Sequence, residues 1–578
     1  MKQKFLHISL FILGLFLILF IACFYLQIIK GPAFKRLSER NRIRLIPIPP
    51  DRGMIFDRNG ASLAINQPSF SVSLIQAGVS SDELKSSLKK LSSLIEFSEE
   101  EALENISEKR YRPFEPAVIA NFLSKDDILK VAGSFLDIPG LIIQSQSKRL
   151  YPEKALASHL LGYIGRINEE EYSEMEGYSK NELIGKTGIE KYYEEDLRGK
   201  GGGEQVETDA NGRMTRTLGK KLSVSGANLY LTIDVKIQRI AENALGENAG
   251  SVVVLNVRDG AILALVSKPD FDPNYFTRPL TAKEARSLFQ SPYRPMFNRV
   301  IQAQYSPGSL FKMVDAYVGL EKGIIDPRES FECKGRFKIG NRNFSCFEGH
   351  NHGNVNLISG LALSCNIYFY KLGLKIGAEQ LIDSAGRFGL GKKTGIDLPS
   401  EKKGYIPTPT WKEKIFKTKW YQGDTANLSI GQGYLLVTPI QMSVLTAAIA
   451  NGGKVFRPYI VSKIEYPDRR IERKRPVIQR TVSISPRAKK MLDEGLSGVV
   501  EYGTGQMAKI DGVHIAGKTG TVQNSFGKDH AWFVCYAPLP NPEVAIAVLM
   551  EYGGQGGVDA APIAREILSE CNILTNLK

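Results

Sequence analysis

A serine three positions ahead of a lysine can supply a nucleophile and its base. Ser309 and Lys312 stand in that relation inside Tyr305-Ser306-Pro307-Gly308-Ser309-Leu310-Phe311-Lys312. A serine hydroxyl is a weak nucleophile at neutral pH until a neighbouring base takes its proton. A buried lysine can be that base, because loss of water disfavours its charged form. Residues three apart share one face of a helix, so Lys312 looks back onto Ser309. Pro307-Gly308 breaks the preceding structure, and the apolar run Leu310 to Leu320 reads as a buried helix. Taken alone, Ser-x-x-Lys is common by chance and describes a serine-capped helix with an ordinary first-turn lysine more readily than a catalytic pair. The rest of the chain has to decide.

Two later clusters bear on that choice. Ser364-Cys365-Asn366 reads as a loop or helix end, with a hydroxyl able to relay a proton and an amide able to hold a carbonyl. Lys518-Thr519-Gly520-Thr521 lies in the alternating strand Val513 to Val522, where an amine and two hydroxyls could receive an anionic terminus. Its glycine lets another backbone approach closely. Lys-Thr-Gly also occurs at Lys186 and Lys393. The first copy precedes Ser309 and runs into a charged helix pattern, and the second runs into Pro399, which stops a ladder. Lys518 alone sits in an uninterrupted strand. Ser-His-Asp chemistry fits less well, since no Gly-x-Ser-x-Gly surrounds Ser309, and His514 and His530 have no evident orienting acid.

These residues need a frame. Ser251 to Asn256 and Ala261 to Ser267 read as a hairpin around Asp259-Gly260, and Val513 to Val522, Ala531 to Ala537 and Val544 to Glu551 as three consecutive strands. Apolar helices lie between, around Ile358 to Leu374 and Thr438 to Ala450, and Ala561 to Leu568 closes the chain. Strands at both ends with helices between predict an antiparallel sheet covered by helices, α+β in class. The segment up to Asp234 mixes short strands, an Asn59-Gly60 hairpin turn and charged helices such as Ser81 to Leu94, and reads as a non-catalytic α+β module. Phe5 to Ile29 carries no charge and is long enough to span a bilayer. It reads as an uncleaved anchor, although Ile21-Ala22-Cys23 has some likeness to a lipoprotein cleavage site. The chain of 578 residues has 43% hydrophobic and 24% charged residues, a globular composition too long for one core. Its net charge of +14 is scattered among acidic residues with no aromatic-interleaved basic block, which argues against nucleic acid.

Ser309-x-x-Lys312, Ser364-x-Asn366 and Lys518-Thr519-Gly520 together match, in kind and order, the motif set of β-lactamases and penicillin-binding proteins. The chain as a whole resembles the class B penicillin-binding proteins, in their cell-elongation branch. Arg52-Gly53-Met54-Ile55-Phe56-Asp57-Arg58-Asn59-Gly60, His159-Leu160-Leu161-Gly162-Tyr163, Gly188-Ile189-Glu190, Asn298-Arg299, Trp420-Tyr421-Gln422-Gly423-Asp424, Leu428 to Gly433 and Ala531-Trp532-Phe533 carry the resemblance. It implies a tail at 1–4, a transmembrane anchor at 5–29, a pedestal (dimerisation) domain at 30–234 and a transpeptidase domain of penicillin-binding fold at 235–578. It further implies a peptidoglycan D,D-transpeptidase on the periplasmic side of the inner membrane, inhibited covalently by β-lactams, with some D-Ala-D-Ala carboxypeptidase activity. Ser309 would attack a D-Ala-D-Ala stem peptide, Lys312 take its proton, Ser364 protonate the leaving amine and Asn366 hold the donor amide. Lys518, Thr519, Gly520 and Thr521 would receive the terminal carboxylate, and the amine of a second stem peptide would accept the acyl group. No cofactor is required for the transfer. A RodA-type glycosyltransferase and MreC are the implied partners.

Cysteines stand at 23, 333, 346, 365, 535 and 571. Cys333, Cys346, His352 and Cys365, separated by 12, 5 and 12 residues, offer thiolates and an imidazole of the kind that hold tetrahedral zinc. The resemblance supports a zinc site in this region, with aspartates at some positions in homologues. His350 rivals His352, and a Cys333–Cys346 disulfide or unpaired buried thiols remain the alternatives.

Overall fold

A computed structural model of the chain describes residues 2–35, 43–76, 79–108, 116–178, 182–208, 214–523 and 527–570. Cys571 lies outside them. The chain divides into two compact units, one formed by Met1–Arg52, Asn66–Lys148 and Arg198–Gly226, the other by Gly53–Ile65, Arg149–Leu197 and Ala227–Lys578. The second unit includes three stretches of the expected pedestal, 53–65, 149–197 and 227–234.

Long-range polar contacts tie these stretches to the rest of the unit and to each other: Tyr151 N donates to Asn274 Oδ1 at 2.9 Å and Tyr193 Oη to Asp397 Oδ2 at 2.9 Å. Arg149 donates to Glu190 Oε1 at 2.8 Å and to the Gly53 carbonyl at 2.7 Å, and Tyr151 Oη donates to the same Glu190 oxygen at 3.1 Å. Both charged side chains are almost wholly out of water, at 1% and 0% exposure. An ion pair so placed must be held by good geometry, because either partner left alone would be an uncompensated buried charge. Asp57 works similarly in the Asn59-Gly60 turn. One of its oxygens accepts from the N–H groups of Asn59 and Ala61, each at 2.8 Å, and the other from Val235 N at 3.2 Å.

In the first unit, Lys2–Phe24 is helical and continues through one π turn, Tyr25–Ile29. It is the single helix among the described residues that is long and apolar enough to cross a membrane. At 1.5 Å per residue its 28 residues reach about 42 Å, beyond the ~30 Å hydrocarbon core. Ile43–Ile48, Gly202–Thr208 and Met214–Lys221 form an antiparallel sheet with Gly202–Thr208 central. Pro47 thereby sits on an edge strand, where its missing N–H costs no ladder bond. Helices Ser81–Leu94 and Lys125–Gly133 both start with a capping box, Ser80 with Glu83 and Ser124 with Asp127. Their apolar faces join Val72, Leu74, Ala117 and Ile119 in one core.

The second unit is built on a five-stranded antiparallel sheet. Its strands are β1 (Gly250–Asn256), β2 (Ile262–Lys268), β3 (Ala516–Val522), β4 (His530–Ala537) and β5 (Val544–Met550), in the order β2-β1-β5-β4-β3. Both faces are covered, so β1, β2, β4 and β5 read as nearly continuous apolar runs, while β3 carries Lys518, Thr519 and Thr521. One face, with Val252, Phe533 and Ile546, packs with residues of α1 (Val235–Leu245) and the C-terminal helix Ala561–Glu570. The other, with Val253, Trp532 and Leu549, joins the core containing α2 (Lys312–Glu321), α3 (Asn366–Ile376) and α4 (Pro439–Ala450). Every residue of α4 is buried, which its all-round apolar sequence requires. Thr438 caps it in a capping box with Gln441, and Pro439 sits where its lack of an N–H is harmless.

Candidate active site

Ser309 does not open an α-helix. It lies in a 3-10 turn, Gly308–Phe311, and α2 begins at Lys312. Gly308, at φ +57°, makes the turn possible. Two other segments press on this turn. A Cβ built on Gly308 would lie 3.0 Å from Val522 Cγ2 and 3.2 Å from the Thr521 carbonyl oxygen, so the end of β3 abuts the serine. The Gly308 N–H also donates to the Gly431 carbonyl at 3.0 Å. Gly431 has φ +67°, and a Cβ there would fall 2.1 Å from the Gly308 carbonyl oxygen. Gly431→Ala is therefore expected to combine left-handed strain of about 1–3 kcal/mol with displacement of the nucleophile turn. A shift of that kind costs on the order of 10² in acylation rate. Thermal melting together with stopped-flow acylation by a fluorescent penicillin checks both effects.

Lys312 is fully buried. Its amine donates to the Ser364 carbonyl at 2.8 Å, to Ser364 Oγ at 3.2 Å and to Asn366 Oδ1 at 2.6 Å. Burial pushes its pKa down to about 8, against smaller opposing effects of Cys365, Cys346 and Asp315. Lys518, also fully buried, projects inward from β3 and donates to the same Ser364 Oγ at 2.9 Å. Its pKa is held well below the usual lysine value by burial and then by the charge of Lys312. An edge-strand lysine would ordinarily be solvated; this one is not.

Ser364 is thus the hinge of the constellation. It sits between helix Leu357–Ala362 and α3, with φ +52°. Such a backbone is uncommon for a residue other than glycine and persists only where its surroundings impose it. Two amines occupy the acceptor positions of its oxygen, leaving its own O–H proton to be donated elsewhere.

Lys518 and Gly520 share one face of β3, and Thr519 and Thr521 the other. Thr521 Oγ1 accepts from Gly556 N at 3.4 Å, and Thr519 Oγ1 lies 2.7 Å from Thr504 Oγ1. Thr504 has no distinctive sequence signal beyond the Gly503-Thr504-Gly505 turn. The other Lys-Thr-Gly copies have different surroundings. Lys186 pairs with Glu171, while Thr394 and Gly395 wrap Glu401, with Thr394 N and Oγ1 both 2.6 Å from its carboxylate. A second residue outside the motifs is Glu551. Its carboxylate accepts from Tyr305 Oη and lies 3.1 Å from Arg299 Nε, tying the end of β5 to the approach to Ser309.

Cys333, Cys346, His352 and Cys365 converge, with one ligand atom from each within 4.8 Å of the others. Cys333 Sγ and Cys346 Sγ lie 3.6 and 3.5 Å from His352 Nδ1, and Cys346 Sγ lies 4.0 Å from Cys365 Sγ. A tetrahedron with ~2.3 Å metal–sulfur and ~2.0 Å metal–nitrogen bonds has edges of roughly 3.5–3.8 Å, so these donors fit zinc. The cysteines are unpaired, against the disulfide alternative, and His350 instead faces Glu348 at 3.8 Å. Sharing between the sulfurs pushes the Cys346 thiol down and the Cys365 thiol up.

A serine on a tight turn, two buried lysines sharing a second serine, and a Lys-Thr-Gly edge strand define a serine acyltransferase of the penicillin-interacting class. Family comparison agrees. A model of the penicillin binding protein transpeptidase domain matches residues 250–569, and one of the penicillin-binding protein dimerisation domain matches residues 47–231. Peptidoglycan D,D-transpeptidase MrdA of Acinetobacter baumannii is 36% identical over 563 residues, covering 94% of this chain and 83% of the relative. MrdA of Escherichia coli K12 is 32% identical over 571 residues, covering 94% and 90%. Among solved structures, the complex of PBP2 and MreC from Helicobacter pylori matches with a TM-score of 0.80 at 29% identity, covering 93% of this chain and 99% of the other. Pseudomonas aeruginosa PBP2 in complex with WCK 5153 matches with a TM-score of 0.70 at 31% identity, covering 91% and 96%. The chain belongs to the penicillin-binding protein family, as a peptidoglycan D,D-transpeptidase of the PBP2 type.

Proposed function

We propose that Ser309 carries the acyl group when this enzyme cross-links stem peptides during lateral wall growth. The observation supporting this most strongly is the sharing of Ser364 Oγ by the Lys312 and Lys518 amines beside the Ser309 turn. Neutral Lys312 takes the hydroxyl proton as Ser309 Oγ attacks the carbonyl of the penultimate D-Ala. The oxyanion rests on the backbone N–H groups of Ser309 and Thr521, donors placed where charge develops. The C–N bond breaks, Ser364 passes its proton to the leaving amine and is reprotonated through the lysines, and D-Ala departs. Asn366 holds the donor amide, while Lys518, Thr519 and Thr521 hold the carboxylate, with Gly520 leaving room for the donor backbone. An acceptor amine then attacks the ester, its lost proton returns to Ser309, and the new amide is the cross-link. Water in place of the amine gives D-Ala release. β-Lactams enter the first half-reaction and stall there. Mass spectrometry of the full chain after penicillin treatment should find a single adduct on the peptide containing Ser309. No adduct, or an adduct that survives Ser309→Ala, would overturn the assignment.

The Lys2–Ile29 helix is proposed as a single-pass inner-membrane anchor with the enzyme in the periplasm. MreC and a RodA-type glycosyltransferase are the proposed partners. The related complex with MreC, and a matched chain at TM-score 0.74 from a study of "structural coordination of polymerization and crosslinking by a peptidoglycan synthase complex", support that reading.

Zinc on Cys333, Cys346, His352 and Cys365 is proposed as structural. When bound it would neutralise the thiolates and pin Cys365, which stands between Ser364 and Asn366, so these residues would hold their geometry more firmly. Metal analysis should give one zinc per chain, with chelation lowering the melting temperature by on the order of 10 °C. Zinc-free protein with Cys333 and Cys346 oxidised would exclude the site.

A further inference from the structure

The segment that braces the nucleophile turn leads directly to a surface the mechanism above does not use. Three residues beyond Gly431 stands Tyr434, 39% exposed, its ring 5.1 Å from Trp411 and 5.0 Å from Phe416 between centroids. Tyr405 adds a fourth ring 5.0 Å from Trp411. Three residues of extended chain reach at most ~11 Å, so this cluster begins close to Ser309. Helix Pro409–Phe416 carries two of the rings, fixed at its start by Thr408 Oγ1 accepting from Trp411 N at 3.1 Å. It leaves Ile415 56% and Phe416 45% exposed. A soluble surface seldom shows adjacent large apolar side chains without something to cover them.

The surface is net basic, with exposed lysines outnumbering the one exposed carboxylate of the helix, Glu413. Lys414, Lys417 and Lys419 are exposed, and among the described residues none of them forms an ion pair. Lys412 is instead buried and neutralised by Asp424. Lys417 ends the helix at φ +57° and borders, with Lys414, Thr410 and Glu413, an open recess of about 530 Å³.

We infer that this surface is the acceptor subsite, where a second sugar–peptide strand docks to present its amine to the acyl-enzyme. The inference rests on the transpeptidase reading. Aromatic rings pack on the apolar C–H faces of sugars, and free lysines attract the carboxylates of an acidic stem peptide. The donor is already accommodated by β3, whose end touches one side of the Gly308 contact set; the Gly431 segment is the other backbone touching that turn. Charge complementarity and continuity with the active site therefore select an acidic glycopeptide as the occupant.

The test uses the full chain in detergent with a D-Ala-D-Ala donor peptide and two acceptors: a disaccharide–tetrapeptide, and D-alaninamide, which has neither sugar nor carboxylate. Phe416→Ala and, separately, Lys414→Glu with Lys417→Glu are compared with the parent. Both variants should keep penicillin acylation and transfer to D-alaninamide within about twofold, while the acceptor KM for the disaccharide–tetrapeptide rises at least tenfold. The charge-reversal pair lies on the surface and guards against a folding defect in Phe416→Ala. Unchanged cross-linking overturns the inference, and so does an equal loss with both acceptors. Loss of anionic-vesicle binding by the charge-reversal pair with cross-linking intact assigns the surface to the membrane and overturns it too. A parent enzyme that transfers to neither acceptor would sink the transpeptidase reading itself.

Discussion

Exchanging Lys312 for methionine is expected to slow acylation of Ser309 by about 10²–10⁴-fold, the usual worth of a positioned general base. The side chain is nearly the same size and already lies fully buried, so the fold should tolerate the change. Lys312→Arg separates base from charge. It keeps a cation but cannot give up a proton at ordinary pH, and should be about as slow as the methionine variant. The parent enzyme adds a pH signature. Burial brings Lys312 down to about 8, and in the proposed mechanism the neutral amine is the active form. Acylation should therefore rise with pH, roughly tenfold per unit below about 8, and level off above it. Stopped-flow acylation across pH 6 to 9.5 would show this. A flat profile, or a Lys312→Met enzyme as fast as the parent, would remove Lys312 from the mechanism.

Glu190→Ala is expected to cost about 3–5 kcal/mol of stability, because it takes a hydrogen-bonded carboxylate away from a buried guanidinium. Arg149 would lose the charge partner at 2.8 Å, and Tyr151 Oη would lose its acceptor. Glu190→Gln keeps an acceptor oxygen and should fall between the parent and Glu190→Ala. The effect should appear in urea melts of the full chain before any change in the intrinsic acylation rate of the folded fraction. Replacing Arg149 and Glu190 together by apolar residues of similar volume should recover much of the loss, since the pair itself gains little over good packing.

Much of the site could be read in advance because it depends on local grammar. Alternation marks β3, an all-round apolar stretch marks α4, and a lysine in an unbroken strand separates Lys518 from Lys186 and Lys393. The four candidate zinc donors also meet as their spacing suggested. What could not be read depends on distance in the chain or on a single torsion. Ser364 takes φ +52°, and two lysines from different elements close on its oxygen. Glu551 holds Tyr305 from 246 residues away. Ser309 sits in a 3-10 turn, not at a helix cap, and the distant Gly431 carbonyl receives the Gly308 N–H of that turn. The linear domain cut gave no hint that Asp57, Tyr151 and Tyr193 would bond to Val235, Asn274 and Asp397 and hold their stretches in the second unit. Hydrogen bonds between residues so far apart in the chain leave no local pattern to read.

β3 is the outermost strand of its sheet, and outermost strands are where folded proteins tend to stick to one another. Here its inward positions carry an amine, Lys518, and then no side chain at all, Gly520. Isoleucine or valine at either place would make a sturdier ribbon and a stickier rim. In the proposed mechanism, the same two residues that spoil the strand for self-association leave its backbone free to be completed, briefly, by a foreign peptide. Solubility and turnover are therefore written into one short edge, and engineering that hardened it for stability would be expected to close it to substrate.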